Sequence, residues 1–135
     1  MTPEDFCNDV VGKPWRSRCE GPEAYDCTGL VKKSYELIDG IKLESLGDQS
    51  NHETPEEYMV GAERWQKSQP QDGALMICYD RTSTGKEFVS HVGRCLLGGV
   101  LHALGRDGLG QVNWHRYNVI NRLPFARVEY WMLCR

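Results

Sequence analysis

The apolar positions change their spacing about halfway along the chain. In the first half they recur at three and four residues: Phe6, Val10 and Val11, then Leu30, Val31, Leu37 and Ile38. That is the spacing of helices that bury one side. The first helix starts at Thr2-Pro3-Glu4-Asp5, where an N-cap threonine, a proline at the first helical position and two acids suit the exposed amides. Residues 12–25 hold Gly12, Pro14, Gly21 and Pro22 and read as loop. A second helix opens at Asp26-Cys27 and runs to about Ile38, with Ser34 on its inner side and Gly40 at its C-terminal cap. Thr54-Pro55-Glu56-Glu57 is a capping box opening a third helix that reaches to around Lys67.

After Pro70 the spacing becomes that of strands. Ala74 to Tyr79 is a short apolar run suited to a buried strand. Phe88–Leu97 and Val100–Leu104 flank a glycine turn, and Gln111–Trp114, Tyr117–Ile120 and Arg127–Leu133 read as further strands. Helices first and strands afterwards predict an α+β domain, N-terminal helices packed on an antiparallel β-sheet. At 135 residues the chain has the size of one domain, residues 1–135, with no internal repeat and no linker. Trp65, Trp114 and Trp131 share no common spacing and are expected as core or edge aromatics, and Tyr25 as packing.

Composition narrows the function classes. Apolar residues at 40% and charged residues at 26% describe a folded, soluble chain. A net charge of −3 gives no electrostatic attraction to nucleic acid or anionic lipid. No apolar run approaches the roughly 20 residues that span a bilayer. The acidic N-terminus lacks a signal-peptide core, so synthesis in the cytoplasm without an export signal is expected. The six cysteines form no Cys-x-x-Cys pair, which argues against a zinc site and leaves neither metal nor organic cofactor expected. Five of them sit in apolar or mixed segments, as small hydrophobes do.

Cys27 differs. A cysteine attacks only as thiolate, and a free thiol titrates near 8.5. The positive end of a helix, or a nearby imidazolium, stabilises the anion, so the first helical turn is an activating position. The amides of that turn also point where an oxyanion forms. Thr28 and Gly29 are small enough to let a substrate backbone approach. A base must come from elsewhere, and His91, in Ser90-His91-Val92-Gly93, lies within a strand that can hold it rigidly. His102 lies on the next strand, and the turn decides its place. A two-residue turn at Leu97-Gly98 sets His102 opposite Gly93, diagonal to His91 on the same face and roughly 7–8 Å away at the backbone. A turn at Gly98-Gly99 slides it opposite Cys95, and a three-residue turn puts it on the other face. His52 and His115 have no supporting context and are expected at the surface or in structural roles.

Gly12-Lys13-Pro14-Trp15, followed by Tyr25-Asp26-Cys27-Thr28-Gly29-Leu30-Val31, resembles the NlpC-type family of cell-wall peptidases. Their signature is a Gly-x-Pro-Tyr segment and then Asp-Cys-Ser-Gly-Leu-Val at this spacing. Gln71-Asp72-Gly73-Ala74-Leu75 resembles the family's Pro-Gly-Asp-Leu strand entry. Ser90-His91-Val92-Gly93 and Leu101-His102-Ala103 resemble its Ser-His-Val-Gly and Ile-His-Ala motifs. The set runs in order from about Asp5 to Leu104. Trp15 stands where the family has Tyr, and Ser17-Arg18-Cys19 where it has Trp-Gly-Gly.

The resemblance implies a papain-like cysteine peptidase fold and hydrolysis of peptidoglycan stem peptides, typically between D-γ-glutamate and diaminopimelate. It implies Cys27 as nucleophile, His91 as base and His102 as the residue that orients it. Asp26, Thr28 and Ser90 match cleft-lining positions, and Trp15 joins them as a substrate contact. The segment Leu104–Val112 also resembles short bacteriophage tail-associated members, which implies incorporation in a phage tail and phage tail proteins as partners. Two other readings remain open: a structural tail component of low activity, and an acyltransferase or amidase using the same Cys-His pair.

Overall fold

The computed structural model describes residues 1–43, 46, 64–105 and 110–134. Helix α1 (Pro3–Val10) begins as its sequence dictates, with the Thr2 hydroxyl accepting from the Asp5 amide at 3.1 Å. Phe6, Cys7 and Val10 turn inward, whereas Val11, expected inside, lies past the last turn and is 46% exposed. Helix α2 (Cys27–Ser34) passes directly into a π-type turn, Tyr35–Asp39, closed by Gly40 in the left-handed conformation at φ 70°. The wider turn breaks the 3.6-residue phase. Tyr35 is consequently buried, and Leu37, expected in the core, is 41% exposed.

Among the described residues the strands are β1 (Trp65–Ser68), β2 (Leu75–Arg81), β3 (Glu87–Leu96), β4 (Gly99–Leu104), β5 (Gln111–Arg116) and β6 (Arg127–Leu133). They form one antiparallel sheet in the order β1-β6-β2-β3-β4-β5. The α+β class and the helix-on-sheet arrangement are as expected. Two assignments are corrected. Residues 65–67, expected to end the third helix, belong to β1, where Trp65 pairs with Leu133; the remainder of that helix lies outside the described residues. Tyr117–Ile120 is a helical turn rather than a strand, because the chain has left the sheet after Arg116 and buries Ile120 against it.

Alternation along β2 shows how the sheet divides the core. Leu75, Ile77 and Tyr79 face α2 together with Val31, Tyr35, Val89 and Val92. Met76 and Cys78 face the other way, with Cys95, Val100 and Ile120. A further cluster joins α1 to the far strands through Phe6, Val10, Leu101 and Val112. Arg94 stands inside the α2 side, 1% exposed. Its guanidinium binds Asp39 at 2.8 Å and Ser34 Oγ at 3.2 Å and lies 3.5 Å from the Tyr35 ring centroid. It straps the π-type turn to β3. All six cysteines are free; Cys7, Cys27, Cys78 and Cys95 are buried, Cys19 is partly buried and Cys134 is exposed. Among the described residues no helix is long and apolar enough to cross a membrane.

Candidate active site

Cys27 is the first residue of α2, and Asp26 is its N-cap. Asp26 Oδ1 accepts from the Gly29 amide at 2.6 Å and Oδ2 from the Arg18 amide at 2.8 Å, while its own N–H donates to the Cys19 carbonyl at 2.9 Å. The aspartate thereby clamps the preceding loop onto the first turn. Gly29 allows the clamp, since a Cβ there would collide with the Cys19 carbonyl. The space expected to admit a substrate backbone at Gly29 is therefore filled by the protein's own loop.

The sulfur of Cys27 takes hydrogen bonds from the backbone N–H of Val92 and from Thr28. The Val92 bond reveals where it sits. Cys95 N–H points to β2, bonding Ala74 O at 2.9 Å. Amides alternate sides along a strand, so Val92 N–H points to β4. The β3–β4 pairing covers Arg94↔Leu101, Cys95↔Val100 and Leu96↔Gly99. The sulfur thus enters beyond that ladder, against the residue that follows His91.

His91 and His102 are brought together by register. Leu97 and Gly98 form the two-residue turn, with φ of 56° and 74°, and Leu96 pairs with Gly99. His102 then falls opposite Gly93, diagonal to His91, with His91 Nε2 2.9 Å from His102 Nδ1. Gly93 makes the approach possible, because a Cβ would lie 3.0 Å from His102 Cβ and 2.8 Å from Val100. Phe125 stacks on the His91 ring at 5.6 Å. Ser90 is the extra residue of a β-bulge, since pairing passes from Cys78↔His91 to Tyr79↔Val89. Its hydroxyl donates to the Cys78 carbonyl at 3.3 Å. Such a bulge bends the strand and re-aims the neighbouring side chain.

The row continues to His115, which the sequence reading assigned no function. His115 on β5 pairs with Val100, again one diagonal step away, and its Nδ1 lies 2.9 Å from His102 Nε2. No sequence signal located it, since its register depends on the connection between β4 and β5. His52 lies outside the described residues.

Electrostatics oppose the expected activation of the thiol. Burial pushes Cys27 up to about 12, outweighing the hydrogen bonds from Val92 and Thr28 that lower it. Burial, and then the neighbouring His102, pushes His91 well down, and burial takes His102 down to about 4. Burial thus favours the neutral form of the thiol and of both imidazoles.

The remaining residues divide. Thr28 is buried against the sulfur. The Trp15 ring covers Gly105, and its amide donates to the Gly110 carbonyl at 2.9 Å. Its backbone also runs parallel beside Tyr25, which ties the Gly-x-Pro segment to the approach to Cys27.

The sequence matches no protein-family model. It also matches no curated protein. The structure is similar to the NlpC/p60 domain of the peptidoglycan hydrolase SagA, with TM-score 0.57 and 16% identity over 97% of this chain and 95% of that one. It is also similar to NlpC1 from Trichomonas vaginalis, with TM-score 0.58 and 18% identity over 97% of this chain and 42% of that one. A Staphylococcus aureus protein similar to lipoprotein, of the NLP/P60 family, gives TM-score 0.58 and 18% identity over 99% of this chain and 41% of that one. The chain thus spans about two fifths of the length of the latter two proteins. At these identities the likeness is one of fold, and it is the fold that the ordered motifs led us to expect.

Proposed function

Starting from an NlpC/P60 fold, we propose that this chain is a cysteine peptidase that hydrolyses peptidoglycan stem peptides. The observations that carry this reading are the His91–His102 pair, held at 2.9 Å by the strand register, and Cys27 at the capped start of α2 with its sulfur against Val92, the residue that follows His91. Cys27 attacks the peptide carbonyl. His91 takes the thiol proton and returns it to the leaving amine, and water releases the acyl group. Because the thiol rests protonated, proton transfer to His91 accompanies attack rather than preceding it. The Gly29 and Leu30 amides are spent on Asp26, whereas the Thr28 amide is directed at the sulfur and serves the oxyanion. Thr28 and Ser90 shape the wall of the site, and Asp26 holds its frame. We assign Trp15 to supporting the loop.

The bond we propose is that between D-γ-glutamate and diaminopimelate, on the strength of the motif set, and the setting a phage or prophage tail, on the likeness of Leu104–Val112. Mass spectrometry of purified peptidoglycan after digestion tests the bond: new termini at D-γ-glutamate and diaminopimelate support it. Release of the whole stem peptide from the sugar would point to an amidase instead. A second reading, a structural component with little activity, is favoured by the burial of Cys27, whose exposure is 2%. It predicts no cleavage at all in the same digest.

A further inference from the structure

The row of imidazoles is longer than the proposed chemistry requires. Base and orienting partner are His91 and His102, yet His102 is held from both sides, by His91 Nε2 and by His115 Nδ1, each at 2.9 Å. The ring pairs repeat nearly the same geometry, with centroids 5.1 Å apart and interplanar angles of 68° and 62°. His91 and His102 are buried, and His115 is half-buried.

A neutral imidazole has one donor and one acceptor nitrogen, so protons along the row must all run in one direction. If His91 donates from Nε2, His102 accepts at Nδ1 and donates from Nε2, and His115 accepts at Nδ1 with its own proton on Nε2. His91 Nδ1 is then a lone pair, available to the thiol. If the row runs the other way, His115 donates from Nδ1, His102 from Nδ1, and His91 carries its proton on Nδ1. It then has no lone pair for Cys27. The end of the row thus decides whether its beginning is a base.

We propose that His115 is a positioning residue, whose Nδ1 accepts from His102 and thereby fixes His91 in the Nε2–H tautomer. This rests on the reading of His91 as the base for Cys27. Removing the acceptor leaves the buried His102 Nε2–H unpaired, which favours the opposite tautomer throughout the row.

The test uses the full chain near neutral pH, with two readouts that need no peptidoglycan. Nitrogen-15 NMR of the histidine rings should show His91 protonated at Nε2 in the wild type. Carboxymethylation of Cys27 by iodoacetamide, followed by peptide mapping, should be nearly unchanged in His115→Asn, whose amide oxygen replaces the acceptor. It should fall roughly tenfold in His115→Leu, part of the 10²–10⁴ that a positioned base supplies. His115→Lys, which only donates, should fall as far, and the spectrum of either variant should shift His91 toward Nδ1–H. A wild-type His91 protonated at Nδ1 overturns the proposal without any variant. So does a Leu or Lys variant, folded by circular dichroism, that reacts as the wild type does. If these results hold while the wild type cuts no peptidoglycan, the hydrolase reading fails and the relay stands.

Discussion

The two faces of the sheet are built on different rules. Facing α2, the packing among the described residues is largely apolar, and the buried charge of Arg94 within it is strapped to Asp39 and Ser34. On the other face a line of three imidazoles crosses β3, β4 and β5 in diagonal steps. The α2 face fixes the nucleophile by local means, a capped helix start whose glycine admits a clamping loop. The other face fixes the base by non-local means, a bulge, a two-residue turn and a strand register. The histidine row depends on the register of three strands. This account predicts that substitutions on the two faces separate stability from activity.

The largest effect should come from His91→Ala. It should lower kcat by 10²–10⁴, the usual contribution of a positioned base, with little change in KM. Retention of near-wild-type kcat would remove His91 from the chemistry. Gly93→Ala comes next. Its Cβ would lie 3.0 Å from His102 Cβ, so it should displace that ring and cost about 10²-fold in kcat, the scale of a 1 Å misplacement. An alanine variant of full activity would show that the row tolerates movement.

Arg94→Leu probes the opposite face. It breaks a buried ion pair and should cost about 3 kcal/mol in urea unfolding, while the folded fraction keeps its kcat. Loss of kcat in the folded variant would mean that the two faces are coupled. The smallest effect is a pH dependence of stability. His91 and His102 titrate lower in the fold than the ordinary 6.5, so the unfolded chain binds protons that the folded chain refuses. Their contribution is complete above about pH 6.5 and is lost as pH falls toward about 4, where His102 protonates. In His102→Asn this acid loss, followed by urea midpoints, should shrink; an unchanged slope would assign it to other groups.

What was legible in the sequence follows the same division. The Asp26-Cys27 helix start is written in adjacent residues, and so is the Thr2 cap of α1. His102 was legible only as one of three alternatives, because a single residue in the turn decides between faces. His115 was illegible: its alignment is set by pairing across a connection whose length does not reveal register. Leu37 was misread because a π-type turn has no periodic signature and shifts every later position. Tyr117–Ile120 has strand-like residues, but burial of Ile120 beside the sheet overrides that preference. Gly29 was expected to leave room for a substrate backbone, and instead makes room for the chain's own Cys19 carbonyl.

The most direct test of the central claim compares wild type and Cys27→Ala on one preparation of purified peptidoglycan, with soluble fragments followed by mass spectrometry. The account predicts cut stem peptides from the wild type and none above background from the variant. The variant's Tm should stay close to that of the wild type, since little volume is lost at a helix start. Equal fragment release by the two proteins would contradict it.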